Sequence, residues 1–305
     1  MVWEKSGRVH LKVRCARTEC HIIISAFLNS YLRNNLTYNQ PFEKQLIQFY
    51  FTKSKNMTTI KDLQTRIDEI KSRIEEKLSP THSNVFLIND GIIEIEKYSK
   101  AKIKILWILK EPNSSEGGWS YQDYLTINTI EGKIGTNKNT LSYKIFQKIL
   151  YASYGILNDF PCYSQMPSIT EKKVYEVGEQ IAYINIKKTG GGSKSQDSDI
   201  SNAYRDNKEI LMSQIAAYNP NVLIFGNTLG FFDKSDLKKI GWDLNNTEGV
   251  YVNDNTKNTT CYQISQDRLI IHAYHPAYWV ISNDVYCTEI VEGVKLWRSQ
   301  FEIAK

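Results

Sequence analysis

Four short apolar runs constrain what this chain can fold into. They cover residues 102–109, 180–186, 221–226 and 268–274. Each is strand length, and the third, Val222-Leu223-Ile224-Phe225, is the near-continuous apolar run of a strand buried on both faces. Between them lie segments with helical spacing, at 140–154 and at 197–218, the latter closed by Asn219-Pro220. Strands that alternate with helices imply right-handed crossovers and a parallel sheet covered on both sides. The expected fold class is therefore α/β: three layers, α/β/α, around a central, mainly parallel sheet of four strands. The stretch 238–263, rich in Asn, Thr and Gly, reads as a polar insertion between strands three and four.

The first 56 residues read differently from the rest. They mix isolated apolar clusters with Lys, Arg and Asn and show no clean period. A helix with one apolar stripe is expected over 58–78, because Ile60, Leu63, Ile67, Ile70, Ile74 and Leu78 recur at spacings of three and four and Ser79-Pro80 ends the run. The expected organisation is a basic leader over 1–56, poorly ordered or lying ahead of a natural start at Met57, and a single domain over 57–305. A nucleic-acid-binding arm is the competing reading of the leader. His10, Cys15, Cys20 and His21 have no familiar zinc spacing, and no metal or cofactor is expected.

Charge follows the same division. Of 38 Lys and Arg and 33 acids, residues 1–56 hold nine and three, which leaves 29 bases and 30 acids in the main body. No global basic field steers a nucleic acid to that body, so any such binding depends on local placement of charge. Five scattered cysteines make no disulfide framework and suggest a reducing, cytoplasmic setting. The longest apolar run, 21–28, is far short of the roughly 18 residues of a membrane span, and a monomer without membrane partners is expected.

Ligands of open parallel sheets sit beyond the carboxyl ends of the strands. After the first run come Lys110-Glu111-Pro112-Asn113 and, further on, Trp119 and Tyr121. The second run ends at Asn185 and leads into Lys187-Lys188-Thr189-Gly190-Gly191-Gly192-Ser193-Lys194. The fourth leads into His275-Pro276-Ala277-Tyr278-Trp279. A carboxylate, an amide, a histidine and several aromatics thus gather at one sheet edge. The glycine loop lacks P-loop spacing; it reads as a flexible connector or as a cradle whose amides face a phosphate. His272, within the fourth run, reads as a core residue.

This set resembles the uracil-DNA glycosylase superfamily. The shared features are Glu111-Pro112 after strand one, Asn185 ending strand two, Gly226 ending strand three and His275-Pro276 after the last strand. The resemblance covers about residues 100–300 and implies a uracil-DNA glycosylase-like domain. It also implies hydrolysis of the N-glycosidic bond of a flipped uracil or modified pyrimidine in DNA. Glu111 stands where the best-known members have Asp, Asn or a small residue, and Ala277-Tyr278-Trp279 replaces the usual Ser-Pro-Leu. These departures bear on which base is accepted more than on the reaction class.

The resemblance assigns roles. Glu111 would stabilise the sugar cation and orient water, and His275 would hydrogen-bond the departing base. Asn185 would read the base edge, with Trp119, Tyr121 and Asn113 completing the pocket by stacking or contact. Lys187, Lys188, Gly191, Ser193, Lys194, Tyr278 and Trp279 would face DNA, single-stranded or modified, with Trp279 as a wedge. Two rival functions stand beside this one: a nucleic-acid-binding module of the same fold without catalysis, and a hydrolase of small nucleosides or nucleotides.

Overall fold

A computed structural model describes residues 41–78, 87–136, 139–192 and 194–302, with side chains described from 60 to 300 within these. The chain separates into two units, Met1–Asn56 and Met57–Lys305, and the second contains the sheet. The helix expected from residue 58 begins earlier. It is α1, Pro41–Leu78, and Thr58-Thr59 lie inside it. A proline suits a first helical position, where its missing N–H has no partner to lose. The leader as a whole, with His10, Cys15, Cys20 and His21, lies largely outside the described residues.

In chain order the remaining elements begin with β1 (Ile88–Asn89), β2 (Gly91–Ile92), α2 (Ile95–Lys100), β3 (Ile105–Leu109), β4 (Trp119–Ser120), α3 (Gln122–Leu125) and α4 (Ile127–Lys133). There follow α5 (Lys144–Leu157), α6 (Lys172–Tyr175), β5 (Ala182–Asn185), α7 (Asp197–Tyr218), β6 (Val222–Gly226) and α8 (Lys234–Lys239). Last come β7 (Val250–Tyr251), β8 (Thr259–Ser265), β9 (Arg268–Ala273) and α9 (Asn283–Glu302).

The four apolar runs form the middle of the sheet, in the order β5-β3-β6-β9, all parallel. The sheet is larger than four strands, however. It has seven, with β2 antiparallel on the β5 side and β8 and β7 antiparallel beyond β9. Part of the supposed polar insertion is therefore sheet. β8 pairs with β9 over almost its whole length, yet most of its residues are only partly covered. A strand near the sheet edge with one wet face keeps polar residues that a central strand discards.

Side-chain alternation divides the core. Trp107, Leu109, Tyr183, Ile224 and Ile271 face one side, against Ile149 and Ala152 of α5 and Ile290 and Val294 of α9. Leu106, Ile108, Ile184, Phe225 and Ile270 face the other, against Leu211 and Ile215 of α7, Leu237 of α8, Tyr98 of α2 and Ile67 of α1. All five residues of β3 are buried. Helices on both faces of a mostly parallel sheet make the arrangement compatible with three layers.

One polar cluster sits inside this apolar frame. Lys188 and Asp90, each 1% exposed at the side chain, form an ion pair at 2.8 Å. Gln214 of α7 completes it: its Oε1 accepts from the lysine at 2.8 Å, and its Nε2 donates to Asp90 at 3.0 Å. Asp90 also accepts the backbone N–H of Asn185 at 2.8 Å. Gly91, at φ +137°, leaves the space that the Tyr218 hydroxyl occupies; a Cβ there would lie 2.5 Å from it. This cluster corrects one sequence expectation. Lys188 does not face DNA, because its ammonium is consumed in the core by an aspartate 98 residues away.

Removing one partner of a buried pair strands the other charge. Lys188→Ala is expected to cost about 3–5 kcal/mol and to lower the melting temperature by roughly 10 °C. The double variant Asp90→Leu, Lys188→Met should recover part of the loss, and not all of it, since Asn185 and Gln214 also lose an acceptor. Thermal and urea unfolding of the three proteins checks this.

Candidate active site

The strand order reverses between β3 and β6, since the chain leaves β3 for β5 and then returns past it to β6. Such a reversal opens a crevice at the carboxyl ends of the strands. Gly226 ends β6 at this point. A Cβ on it would overlap Leu109 and lie 3.0 Å from Pro276 and 3.8 Å from the His275 backbone. The glycine is therefore what lets the His275-Pro276 loop close over the end of the sheet. Asn227 follows at φ +57°, its N–H donating to Ala273 at 2.7 Å, which ties β6 to the last residue of β9.

Glu111 is set by a second pair of loops. Parallel pairing of β3 and β5 continues past the strands, with Ile186 N–H donating to Leu109 at 2.9 Å and Lys187 N–H to Lys110 at 3.0 Å. Further on, Gly191 N–H donates to Pro112 at 2.9 Å and Ser114 N–H to Gly191 at 3.2 Å. A Cβ at Gly190 would overlap the Ser114 carbonyl, and one at Gly191 would overlap the Glu111 carboxylate. The triple glycine is thus neither a loose connector nor a phosphate cradle at Gly191: its amide is used by Pro112, and a carboxylate already fills the space. Glu111 is 6% exposed at its side chain and pairs with Lys187 at 2.9 Å. Lys187 accordingly turns inward to Glu111 rather than out toward DNA.

Asn185 lies beside Leu109 in register and is fully buried. Its backbone N–H is satisfied by Asp90, but among the described residues neither its side-chain nitrogen nor its side-chain oxygen has a hydrogen-bond partner. Tyr121 is its aromatic neighbour. Burial pushes the Tyr121 phenol up, and the Asn185 and Tyr183 side chains act the other way; the Asn185 contact falls short of hydrogen-bond geometry. Tyr121 is buried and tilts against Tyr183 with centroids 4.3 Å apart. It is therefore a core residue, not a free surface for a base. Trp119, half-buried, meets Tyr121 edge-on at 5.1 Å and donates through its indole to Glu116 at 3.1 Å. Asn113 is exposed and bridges Gly191 through the backbone.

His275 is partly buried on the loop after β9. Its Nδ1 accepts the N–H of Ala277 at 3.2 Å, which assigns the ring proton to Nε2. Burial, helped by the charges of Lys110 and Lys148, lowers its pKa to about 4. At neutral pH the imidazole is thus uncharged, with Nε2–H as donor. β3 and β9 are separated by β6 alone, so Glu111 and His275 rise from strand ends roughly 10 Å apart. His272 stays within β9 as a half-buried strand residue.

Two lysines absent from the sequence-based set bear on His275, one by holding its loop and one by its charge. Lys148, buried on α5, donates to the carbonyls of Tyr278 and Ile281, both at 2.8 Å. Lys110 pairs with Asp197 in the first turn of α7 at 2.8 Å. Lys148 gave no sequence signal, because its acceptors are backbone atoms more than 120 positions away. Tyr278 and Trp279 are exposed, as is Lys194, while Ser193 lies outside the described residues.

Among the described residues, no group of three or more His, Cys, Asp or Glu side chains is placed to hold a metal ion, and no helix is long and apolar enough to cross a membrane. A cleft of about 580 Å³ opens elsewhere, between α1 and the segment from β1 to α3, lined by Ile60, Ile67, Asp90, Ile93 and Gln122. It shares none of Glu111, Asn185 and His275. No protein-family profile and no curated protein sequence matches this chain.

Two measurements test the geometry. The unfolded chain takes up a proton on His275 near pH 6.5 and the fold only near 4, so this residue costs stability as pH falls through that window and nothing above it. Nitrogen-15 NMR should accordingly show a neutral Nε2–H imidazole at pH 7 that titrates at about 4. Separately, Gly191→Ala should cost about 1–3 kcal/mol in urea unfolding. Gly192→Ala should be near neutral, since its Cβ meets only Lys194 N at 4.0 Å.

Proposed function

We propose that this protein hydrolyses the N-glycosidic bond of a flipped uracil or modified pyrimidine in DNA, on a uracil-DNA glycosylase-like three-layer domain. The observation that carries this reading is the Asn185 amide, buried at the carboxyl end of a central parallel strand with donor and acceptor both unused. An unpaired buried amide costs about 1–3 kcal/mol. A pyrimidine edge, which offers a carbonyl and a ring nitrogen side by side, would match both groups.

Bond cleavage leaves positive charge on the sugar and negative charge on the base. Glu111, held against Gly191 and Lys187, supplies the carboxylate for the cation and for orienting water. His275, uncharged and donating through Nε2, supplies the hydrogen bond to the base oxygen as charge collects there.

Abasic-site formation on DNAs carrying uracil, thymine mismatches and modified cytosines tests the reading. At least one of these should be cleaved. Glu111→Gln and His275→Ala should each lower turnover by about 10²–10³-fold with binding nearly intact, since both contacts strengthen as charge develops. Asn185→Ala should change which base is accepted. Full activity in the Glu111→Gln, His275→Ala double variant would falsify the proposal. Tight binding without cleavage of any DNA would leave the non-catalytic binding module in its place.

A further inference from the structure

The loop that carries His275 continues into an aromatic surface that the cleavage chemistry does not use. Tyr274 and Tyr278 stack with centroids 5.0 Å apart and an interplanar angle of 13°. They are 42% and 39% exposed, and the adjoining Trp279 is 78% exposed. The surface is built, not loose. Tyr286 donates its hydroxyl to the Tyr274 carbonyl at 2.9 Å, and Tyr278 N–H donates to the His275 carbonyl at 2.8 Å. Lys148 grips the carbonyl of Tyr278 from below. Burying a lysine under a loop whose aromatic side chains stay in water is a poor use of apolar rings, unless something stacks on them.

Charge narrows the choice of what stacks. Duplex binding draws most of its affinity from neutralised phosphates. At this edge Lys188 is buried on Asp90, Lys187 is paired with Glu111 and Lys110 with Asp197. Of these and Lys194, only Lys194 has no ion pair among the described residues. Residues 57–305 as a whole carry 29 bases against 30 acids. An extended row of phosphate contacts is therefore missing among these four lysines, whereas parallel, exposed rings beside the candidate active site are present. Bases of a single strand stack on such rings at about 1–3 kcal/mol each, affinity that a closed duplex cannot draw on and that adds to whatever phosphate contacts are made.

We infer that the substrate of the proposed glycosylase is single-stranded DNA, with bases flanking the target stacked on Tyr274, Tyr278 and Trp279. The inference rests on the proposed catalytic roles of Glu111 and His275 and on Asn185 as the reader of the base. It replaces the duplex wedge that the position of Trp279 suggests in the sequence. A single strand also presents its target base already unpaired, which lowers the cost of bringing it to Asn185.

Fluorescence anisotropy with the full chain tests this, using a labelled oligothymidine of about 12 nucleotides and the same sequence as a duplex, neither carrying a modified or mismatched base. The single strand should bind more tightly than the duplex. The Tyr278→Ala, Trp279→Ala variant should bind it about 10- to 100-fold more weakly, with a melting temperature lowered by no more than a few degrees, since Trp279 is exposed and Tyr278 loses one stacked ring. Preference for the duplex, absence of single-strand binding, or unchanged affinity in the variant would overturn the inference. So would self-association, seen by light scattering, that the variant abolishes, since the surface would then be a contact between copies of this chain. Abasic-site assays on the same proteins separate the two proposals. Single-strand binding without cleavage of any base removes the catalytic reading and leaves the aromatic surface as a single-strand binding site, and cleavage with no single-strand preference removes only this inference.

Discussion

The ion pair between Asp90 and Lys188 is the interaction on which the edge of this sheet depends. It joins three parts of the chain that share no sequence proximity: the turn before β2, the loop after β5 and, through Gln214, the C-terminal end of α7. Two fully desolvated charges are expensive, and they remain favourable here only because every available partner is supplied. Asp90 takes the lysine, the Gln214 amide and the backbone of Asn185. The end of β5 is thus fixed from outside the strand ladder, where a parallel pairing alone would fray.

What is fixed there propagates outward. Lys187 and Gly191 stand within three residues of Lys188, and both define where the Glu111 carboxylate lies. The opposite wall is held by a different buried cation. Lys148 clamps the loop after β9 through two carbonyls and adds its charge to the forces that keep His275 neutral. One lysine therefore organises the carboxylate side and another the imidazole side, and neither has to touch a substrate. In the proposed reaction this division matters, since a carboxylate beside a cation and an uncharged donor imidazole are needed at opposite ends of one breaking bond.

The central strands were legible because burial on both faces forces an uninterrupted apolar run, as in Ile105–Leu109 and Val222–Gly226. The outer strands were not, because β8 keeps Thr, Gln and Ser on a half-covered surface and β1, β2, β4 and β7 are two residues each. That Glu111, Asn185 and His275 lie at or just beyond the carboxyl ends of central strands could be read from the apolar runs before them. Lys188 could not be sorted from Lys187, since adjacent lysines look alike until their distant partners are known. The glycines at 190 and 191 misled for a related reason. Absence of a side chain signals freedom in a sequence, whereas here it makes room for Ser114 and Glu111 to come close.

Asn185 shows how the two demands on this edge are separated. Its backbone N–H needs a partner for the fold to be complete, and Asp90 supplies one. Its side chain meets no such need: no group among the described residues bonds to it, and the preceding residues of β5, Ala182, Tyr183 and Ile184, are mainly apolar and buried. An aliphatic residue at that position would spare the fold the cost of an unpaired amide. Local choices that contradict the surrounding pattern without a structural gain concentrate where a protein binds or reacts. In the proposed reaction the amide is half of a contact whose other half arrives with the base.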